Sequence, residues 1–487
     1  MKKFSITVLR NSAFGMVAQL TIKALSFAFS VLVVRNLGAE AFGQYAAVMA
    51  FGALFAFISD LGLGVYSVRE VARWRDLPDG PAQANALYAN VLTLRLALSL
   101  LAALLVTLTA WLSGRPLVMV GAIALNACGL ILYAVQGTSE AVLAGFERLD
   151  LSAGAKVVNQ LAFVVVGAAA LFWGFGYYGL ILATLLGVAL MTFVCWRGVH
   201  ALGVRAAGVQ AQRWPALLRA SLPFGVIGFA LGLSYKFDSV LLNIFRSDAE
   251  TGYYNAAYNL IFSAAIISNV FNTALYPSLT RRAVTEPESL PRVYERALRY
   301  MLLIALPIAV GGWTLADQLI PFLFGADYAP AVPAFKIVIW VLPLMFASEF
   351  LGYVVLISGK EARAARAVLV STGLNVAANL LLVPRFGFIG AAVMTVLTEA
   401  VLVGQYVWTL RPVMQKINWG NSLLRPLLAV FLMGGLVLLV HSLLPLLASV
   451  AVGGVTYGLL LLALGVIGMD DLRFVQNIRS ASKAAIG

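Results

Sequence analysis

Long apolar stretches separated by short polar connections run from one end of this chain to the other. About 20 apolar residues suffice to cross the roughly 30 Å hydrocarbon core of a bilayer as a helix. Fourteen such windows can be placed, near 11–34, 43–64, 86–111, 117–138, 157–174, 177–197, 220–244, 254–278, 298–320, 333–356, 366–384, 388–410, 424–445 and 449–468. With the N-terminus cytoplasmic, both tails and every second connection lie inside, and the basic residues gather there. Arg69, Arg73 and Arg75, the run Arg281–Arg299, Lys360 to Arg366, and Arg473, Arg479 and Lys483 of the C-terminal tail are examples. Only Arg35, Arg115, Arg246 and Arg385 fall in the outside connections, while Lys23, Arg95, Lys236 and Lys336 stand within or at the edge of windows. A positive-inside bias this clean checks the helix count together with the orientation. The expected fold is an all-α integral membrane protein with fourteen transmembrane helices and both termini cytoplasmic.

Composition narrows the class without changing it. At 61% hydrophobic and 11% charged residues, with a mean hydropathy of +0.92, the chain is no soluble domain. The formal charge of +13 reflects the topological bias and the pull of anionic lipid headgroups, so no nucleic-acid partner is expected. Met1-Lys2-Lys3 before an apolar run imitates a signal peptide, yet the run is long, contains Lys23 and ends in no small-residue cleavage site. It reads as a retained first helix. Cys128 and Cys195 fall inside apolar windows and have no metal-ligand spacing, which makes them packing residues and leaves no metal site. The connections are too short to house a soluble catalytic domain.

A weak internal repeat gives the architecture. Phe175-Gly-Tyr-Tyr-Gly-Leu-Ile-Leu-Ala-Thr184 is matched by Phe386-Gly-Phe-Ile-Gly-Ala-Ala-Val-Met-Thr395, and Ala39-Glu-Ala-Phe-Gly-Gln-Tyr45 by Ala249-Glu-Thr-Gly-Tyr-Tyr254. Ala144-Gly145-Phe-Glu-Arg148 against Ser358-Gly359-Lys-Glu361 is fainter. Glycine and tyrosine are ordinary residues of interfacial turns, but three pairs in the same order, each six windows apart, indicate duplication. Six is even, so the copies are parallel repeats of six-helix lobes, a scaffold used for alternating access around a midplane site. The expected divisions are an N-terminal lobe over 1–210, a C-terminal lobe over 211–415, and an appended pair of helices with a cytoplasmic tail over 416–487.

Each ionisable group at helix centre costs about 2.5–3.5 kcal/mol on insertion scales and so requires a reason. Lys23 and Arg95 lie near mid-depth, beyond comfortable snorkelling reach, and point to a water-filled cavity. Lys236 joins them as a candidate cavity residue, since Asp238 two positions on faces elsewhere and is a poor local partner. Lys336, after Pro333 at the mouth of its window, is placed to snorkel. Asp60 in Asp60-Leu-Gly-Leu-Gly64 suits a structural role, satisfying backbone groups or pairing with Arg69 or Arg73. Asp238, Glu349 and Glu399 are open to structural roles or to coupling with H+ or Na+; no other cofactor is expected. A cavity lined by Lys23, Arg95 and Lys236 would attract an anion, and arginine favours phosphate through paired hydrogen bonds.

Arg35-Asn-Leu-Gly-Ala-Glu-Ala-Phe-Gly-Gln-Tyr45, Asp60-Leu-Gly-Leu63 with Arg69-Glu70, and Asp248-Ala-Glu-Thr-Gly-Tyr-Tyr-Asn-Ala-Ala-Tyr258 resemble a known group in their order and spacing. Leu323-Phe-Gly-Ala-Asp-Tyr328 and Gly387-Phe-Ile-Gly-Ala-Ala392 continue the series. The group is the polysaccharide-transporter branch of the multidrug/oligosaccharidyl-lipid/polysaccharide (MOP) exporters, which includes the O-antigen (Wzx-type) flippases. The resemblance implies a MATE-like fold of two six-helix lobes and two further helices in a bacterial inner membrane. It also implies a substrate, an oligosaccharide linked through pyrophosphate to a polyprenyl carrier, moved from the cytoplasmic to the periplasmic leaflet for O-antigen, capsule or exopolysaccharide synthesis. Membrane lipids, a polysaccharide polymerase and chain-length machinery are the partners such a role brings. By position Lys23 resembles the first-helix basic residue that meets pyrophosphate in the more distant peptidoglycan-precursor flippase; Arg95 and Lys236 match no family motif.

Two other classes compete. A MATE-type multidrug or cation antiporter should present carboxylates rather than bases to its cavity. A membrane polysaccharide polymerase or ligase needs an acid, base or anion-binding cluster at the membrane surface, and the outer connections carry few charged groups beside Arg246, Asp248 and Glu250. The expected protein is therefore not an enzyme.

Overall fold

The computed structural model describes residues 2–466, with side chains from residue 22 onward except at 227, 231, 274, 277, 421 and 422. The basic tail with Arg473, Arg479 and Lys483 lies outside the described residues, as do the side chains of Lys2, Lys3 and Arg10. The chain is helical almost throughout: α1 (Lys2–Asp60), α2 (Leu63–Trp74), α3 (Gly80–Leu112), α4 (Leu117–Gly145), α5 (Leu149–Phe172), α6 (Gly176–Ala201), α7 (Trp214–Phe245) and α8 (Asp248–Thr285). There follow α9 (Leu290–Thr314), α10 (Ala316–Phe324), α11 (Val332–Val338), α12 (Val341–Ile357), α13 (Glu361–Thr409), α14 (Arg411–Met414), α15 (Arg425–Val440) and α16 (Leu446–Ala463).

Among the described residues nine helices are long and apolar enough to cross a membrane, or eleven when the bent pairs within 211–245 and 326–357 each count as one span. That makes a multi-pass membrane protein. The expected fourteen windows differ from this count at identifiable places. α1 and α13 each run through a break, at Gly38 (φ 73°) and Gly387 (φ 56°), where a backbone conformation open to glycine turns the chain between two apolar limbs. α15, at 16 residues, is short for a full crossing. In α7 the bend of 41° lies between Val226 and Gly228, one turn after Pro223.

Two compact units can be described. The first comprises Ile22–Asn255 and Thr372–Ala391. One of its cores joins α2, α3, α4 and α6 through Leu63, Val71, Tyr88, Val91, Leu143 and Cys195. Another joins the second limb of α1 to α3 and α4 through Val48, Phe51, Val106 and Ile123. Cys195 is buried in the first core, which gives it the packing role expected from its position, while Cys128 is exposed. Leu104, Trp111, Val165 and Phe172 point outward, as lipid-facing residues do. The second unit comprises residues 2–21, Ala256–Ser371 and the described residues from Ala392 on, and in it α9 packs against α12 and α15. The Tyr457 hydroxyl of α16 donates to the Leu303 carbonyl at 3.0 Å. These units are divisions by packing and cut across the sequence divisions at 210 and 415, which follow the repeat.

Candidate intramembrane sites

The most constrained charged group of the first unit sits where α1 ends. Leu61 (φ 43°) and Gly62 (φ 81°) form a left-handed turn into α2, and Asp60 holds it by accepting the Gly62 and Gly64 N–H groups at 3.2 and 3.1 Å. Across from it Arg95 of α3 brings Nη2 to 2.9 Å from the Asp60 carboxylate, with Nη1 3.5 Å from Thr138 Oγ1 of α4. Arg95 is only 6% exposed. Gly137 makes the room, because a Cβ there would stand 2.8 Å from the guanidinium. The expectation that Asp60 pairs with Arg69 or Arg73 is corrected: both turn to Glu70, at 2.9 and 3.1 Å, because that carboxylate lies on their own helix.

Asp60 also borders a cavity of about 300 Å³ between α1 and α7, walled by Phe57, Phe224, Gly225, Gly228 and Phe229. The rings of Phe57 and Phe229 are 4.4 Å apart between centroids. At its floor the backbones of Gly62 and Gly225 meet so closely that a Cβ on Gly225 would stand 2.5 Å from the Leu61 carbonyl carbon. The charged residue in this wall is an acid, with Arg95 behind it. Lys23 is exposed and Lys236 half-buried, neither lines this cavity, and neither forms an ion pair with a described residue. The structure thus brings Arg95 to Asp60 and does not bring Lys23 and Lys236 to the same wall.

Asp238 stands apart from Lys236 in a buried polar seam. It is 3% exposed and accepts the Tyr254 hydroxyl of α8 and the Asn379 amide of α13, both at 2.8 Å. The Asn379 amide also reaches Asn375 Oδ1 at 3.1 Å, and Ser239 donates to Asn255 at 3.1 Å. At the C-terminal end of α7, close by, Arg115 donates to the carbonyls of Asn243 and Ile244, capping the helix, while Asn243 and Gln44 donate to Asp248 at 2.6 and 2.9 Å.

In the second unit Glu399 of α13 accepts a hydrogen bond from Ser348 of α12. Its neighbour Glu349 lies beside Ser268 and Asn272 of α8, and its Oε2 is buried with no hydrogen-bond partner among the described residues. No ion pair to a described residue reaches either. Lys336 at the helix mouth is paired with Asp317 at 2.6 Å and lies over the Trp313 ring, so its charge is met locally.

A further carboxylate, Glu140, is missing from the candidates that depth alone singles out. On α4 it gathers Gln136, Ser152 and Lys156, with Lys156 Nζ at 2.5 Å. Ser152 and Lys156 are four apart on α5 and so share a face, and this spacing was the available signal. The partners of Asp238 were likewise unread, although Asn375 and Asn379 repeat at i, i+4 on an apolar helix.

The helical architecture is that of known membrane flippases and exporters. The lipid II flippase MurJ, in an inward closed conformation, aligns over 92% of this chain and 98% of its own, with a TM-score of 0.75 at 13% identity. An inward-facing multidrug resistance MATE family transporter of the MOP superfamily aligns over 82% and 95%, with a TM-score of 0.66 at 16% identity. At these identities the likeness is one of fold. By sequence, the family of polysaccharide biosynthesis proteins matches residues 8–282. The chain belongs to that family, as its motif series implied. A relative from Haloferax volcanii, described as a probable low-salt glycan biosynthesis flippase, Agl15, is 22% identical over 401 residues, covering 80% of this chain and 81% of the relative.

Proposed function

We propose that this protein is a flippase that carries polyprenyl-pyrophosphate-linked oligosaccharide from the cytoplasmic to the periplasmic leaflet of a bacterial inner membrane by alternating access, supplying surface polysaccharide synthesis. The observation that carries the reading is the similarity, along four fifths of both chains, to a relative described as a probable low-salt glycan biosynthesis flippase. The physics agrees. A hydroxyl-rich, charged headgroup loses its hydrogen bonds to water in hydrocarbon, so a polar path must replace them while the polyprenyl tail stays in lipid. No bond is broken.

In this reading Lys23 and Lys236, cations without an ion-pair partner among the described residues, meet the phosphates. Arg95 works through Asp60 by fixing the α1–α2 turn beside the cavity. Asp238, Glu349 and Glu399, which rest on hydroxyl and amide partners, supply coupling to H+ or Na+, because oxygen ligands of that kind can receive a proton or a small cation.

A MATE-type cation antiporter is favoured by one observation, the acidic cavity wall at Asp60. A deletion strain separates the two. Lipid-linked saccharide trapped in the cytoplasmic leaflet and released by re-expression is the expected result. Intermediates that reach the periplasmic leaflet unpolymerised would indicate a later enzyme, and unchanged intermediates with altered sensitivity to cationic drugs would indicate the antiporter.

A further inference from the structure

The final limb of α13 presents a face that nothing in the second unit covers. Leu397, Val401, Gly404, Trp408, Arg411 and Gln415 recur at steps of three and four, which places them on one helical stripe running into α14. All six are exposed, Trp408 to 76%, and a Cβ on Gly404 would meet nothing within 4 Å. The lower part is a groove of about 460 Å³ lined by Gly404, Val407, Trp408, Arg411, Met414 and Trp419. The connection beyond is pinned by the buried Leu410, Met414 and Ile417 and by the Asn418 N–H donating to Glu295 at 3.2 Å, so the groove is a formed feature.

The chemistry of the stripe changes in order along its length. Leu397, Val401 and Gly404 are apolar. Trp408 follows, the residue type that settles at the headgroup level. Arg411 and Lys416 come last, both exposed and neither bonded through its side chain to a described residue. From Leu397 to Trp408 the helix rises about 16 Å, close to half of a roughly 30 Å hydrocarbon core. We propose that this face binds an anionic diacyl phospholipid, with one acyl chain along Leu397–Gly404 and the headgroup phosphate on Arg411 and Lys416.

Basic pockets beside transmembrane helices suit anionic headgroups, and an arginine fork suits phosphate oxygens. A free phosphate would leave the apolar stretch and both tryptophans unused. A zwitterionic lipid would bring a second cation toward Arg411 and Lys416. The inference does not depend on what the protein transports.

The test is native mass spectrometry of the full chain purified in detergent, doped with phosphatidylglycerol or phosphatidylcholine of matched acyl chains. Phosphatidylglycerol should be retained at least roughly tenfold more than phosphatidylcholine, a ratio set by charge-assisted bonds, and Arg411→Ala with Lys416→Ala should remove that excess. Gly404→Leu should reduce retention too, by filling the groove. It faces open space and disturbs no packing, so it keeps the test decisive should the charge variant fail to fold. Equal retention of the two lipids would overturn the site, as would displacement of phosphatidylglycerol by millimolar inorganic phosphate. Indifference to Gly404→Leu, or a retained species with the mass of a polyprenyl phosphate, would overturn it as well.

Discussion

Two carboxylate sites inside the membrane are built on opposite plans. In the first unit Asp60 meets a buried arginine at 2.9 Å and two backbone N–H groups. In the second unit Glu399 accepts from the neutral Ser348, and Glu349 beside Ser268 and Asn272 keeps a buried oxygen with no hydrogen-bond partner among the described residues. An acid whose oxygens are committed to a buried guanidinium and two backbone N–H groups holds a shape. Acids solvated by hydroxyls and amides have room for a proton or a cation to arrive and leave. The contrast separates architecture from candidate coupling, and mutation can break it.

The largest effect is expected at Arg95. Arg95→Ala strands Asp60 without its counter-charge. Breaking a buried pair costs roughly 3–5 kcal/mol, and the lower end applies because the Asp60 side chain keeps 37% exposure toward the cavity. Thermal unfolding of the purified variant should show the loss, and Asp60→Asn combined with Arg95→Gln should recover much of it, because no unpaired charge is left. An unaffected single variant would mean that the pair does not hold the Leu61–Gly62 turn.

Glu399→Gln should behave in the opposite way. The amide keeps an acceptor for Ser348, so stability should change by less than about 1 kcal/mol. Transport measured by release of trapped saccharide intermediates should fall at least tenfold and lose its dependence on pH or sodium, a drop of about 1.4 kcal/mol or more in coupling. Destabilisation equal to that of Arg95→Ala, with transport dependence intact, would make both sites structural and erase the contrast.

Lys23 and Lys236 sharpen it from a third side. Either one changed to alanine should leave the melting temperature near that of the parent. Each should weaken handling of the pyrophosphate headgroup roughly tenfold, the size of one charge-assisted hydrogen bond. Titrating the lipid-linked substrate against transport rate would read this directly. Equal effects of Lys23→Ala and Lys23→Arg would assign the residue to packing.

Much of this arrangement could be read along the chain, and what could not has a physical cause. Each apolar window before residue 466 lies mostly on helix, because hydrophobic length is a strong local signal. That signal does not mark breaks, and the windows at 43–64, 298–320, 333–356 and 424–445, among others, run across or past a helix end. The breaks at Gly38 and Gly387 coincide with the turns expected there. Pairing was harder. Depth places Arg95 in the membrane but cannot say that Asp60, 35 positions earlier, reaches it, since that contact depends on the turn at Leu61–Gly62 and on the gap at Gly137. Arg69 and Arg73 were offered to Asp60 on proximity in sequence, and Glu70 on their own helix was nearer. Asp238 was judged against Lys236, whereas its partners come from α8 and α13, which periodicity cannot align. Seams of that kind, like the cluster around Glu140, join groups on different helices, which composition does not reveal.

The smallest effect is expected at Lys336, and it tests whether position in the membrane governs these charges. Lys336 reaches Asp317 at 2.6 Å and lies 5.9 Å from the Trp313 ring centroid, at a helix mouth where the Asp317 side chain is 64% exposed. Exposed ion pairs contribute about 0–1 kcal/mol because water and salt compete for both charges. Lys336→Met keeps the apolar stem and should shift thermal unfolding barely, with transport unchanged. A loss approaching that of Arg95→Ala would show that this end of the helix is far drier than its exposure implies. Arg95 is 6% exposed and the Lys336 side chain 31%, so the two substitutions, measured side by side, compare a buried ion pair with one at a helix mouth.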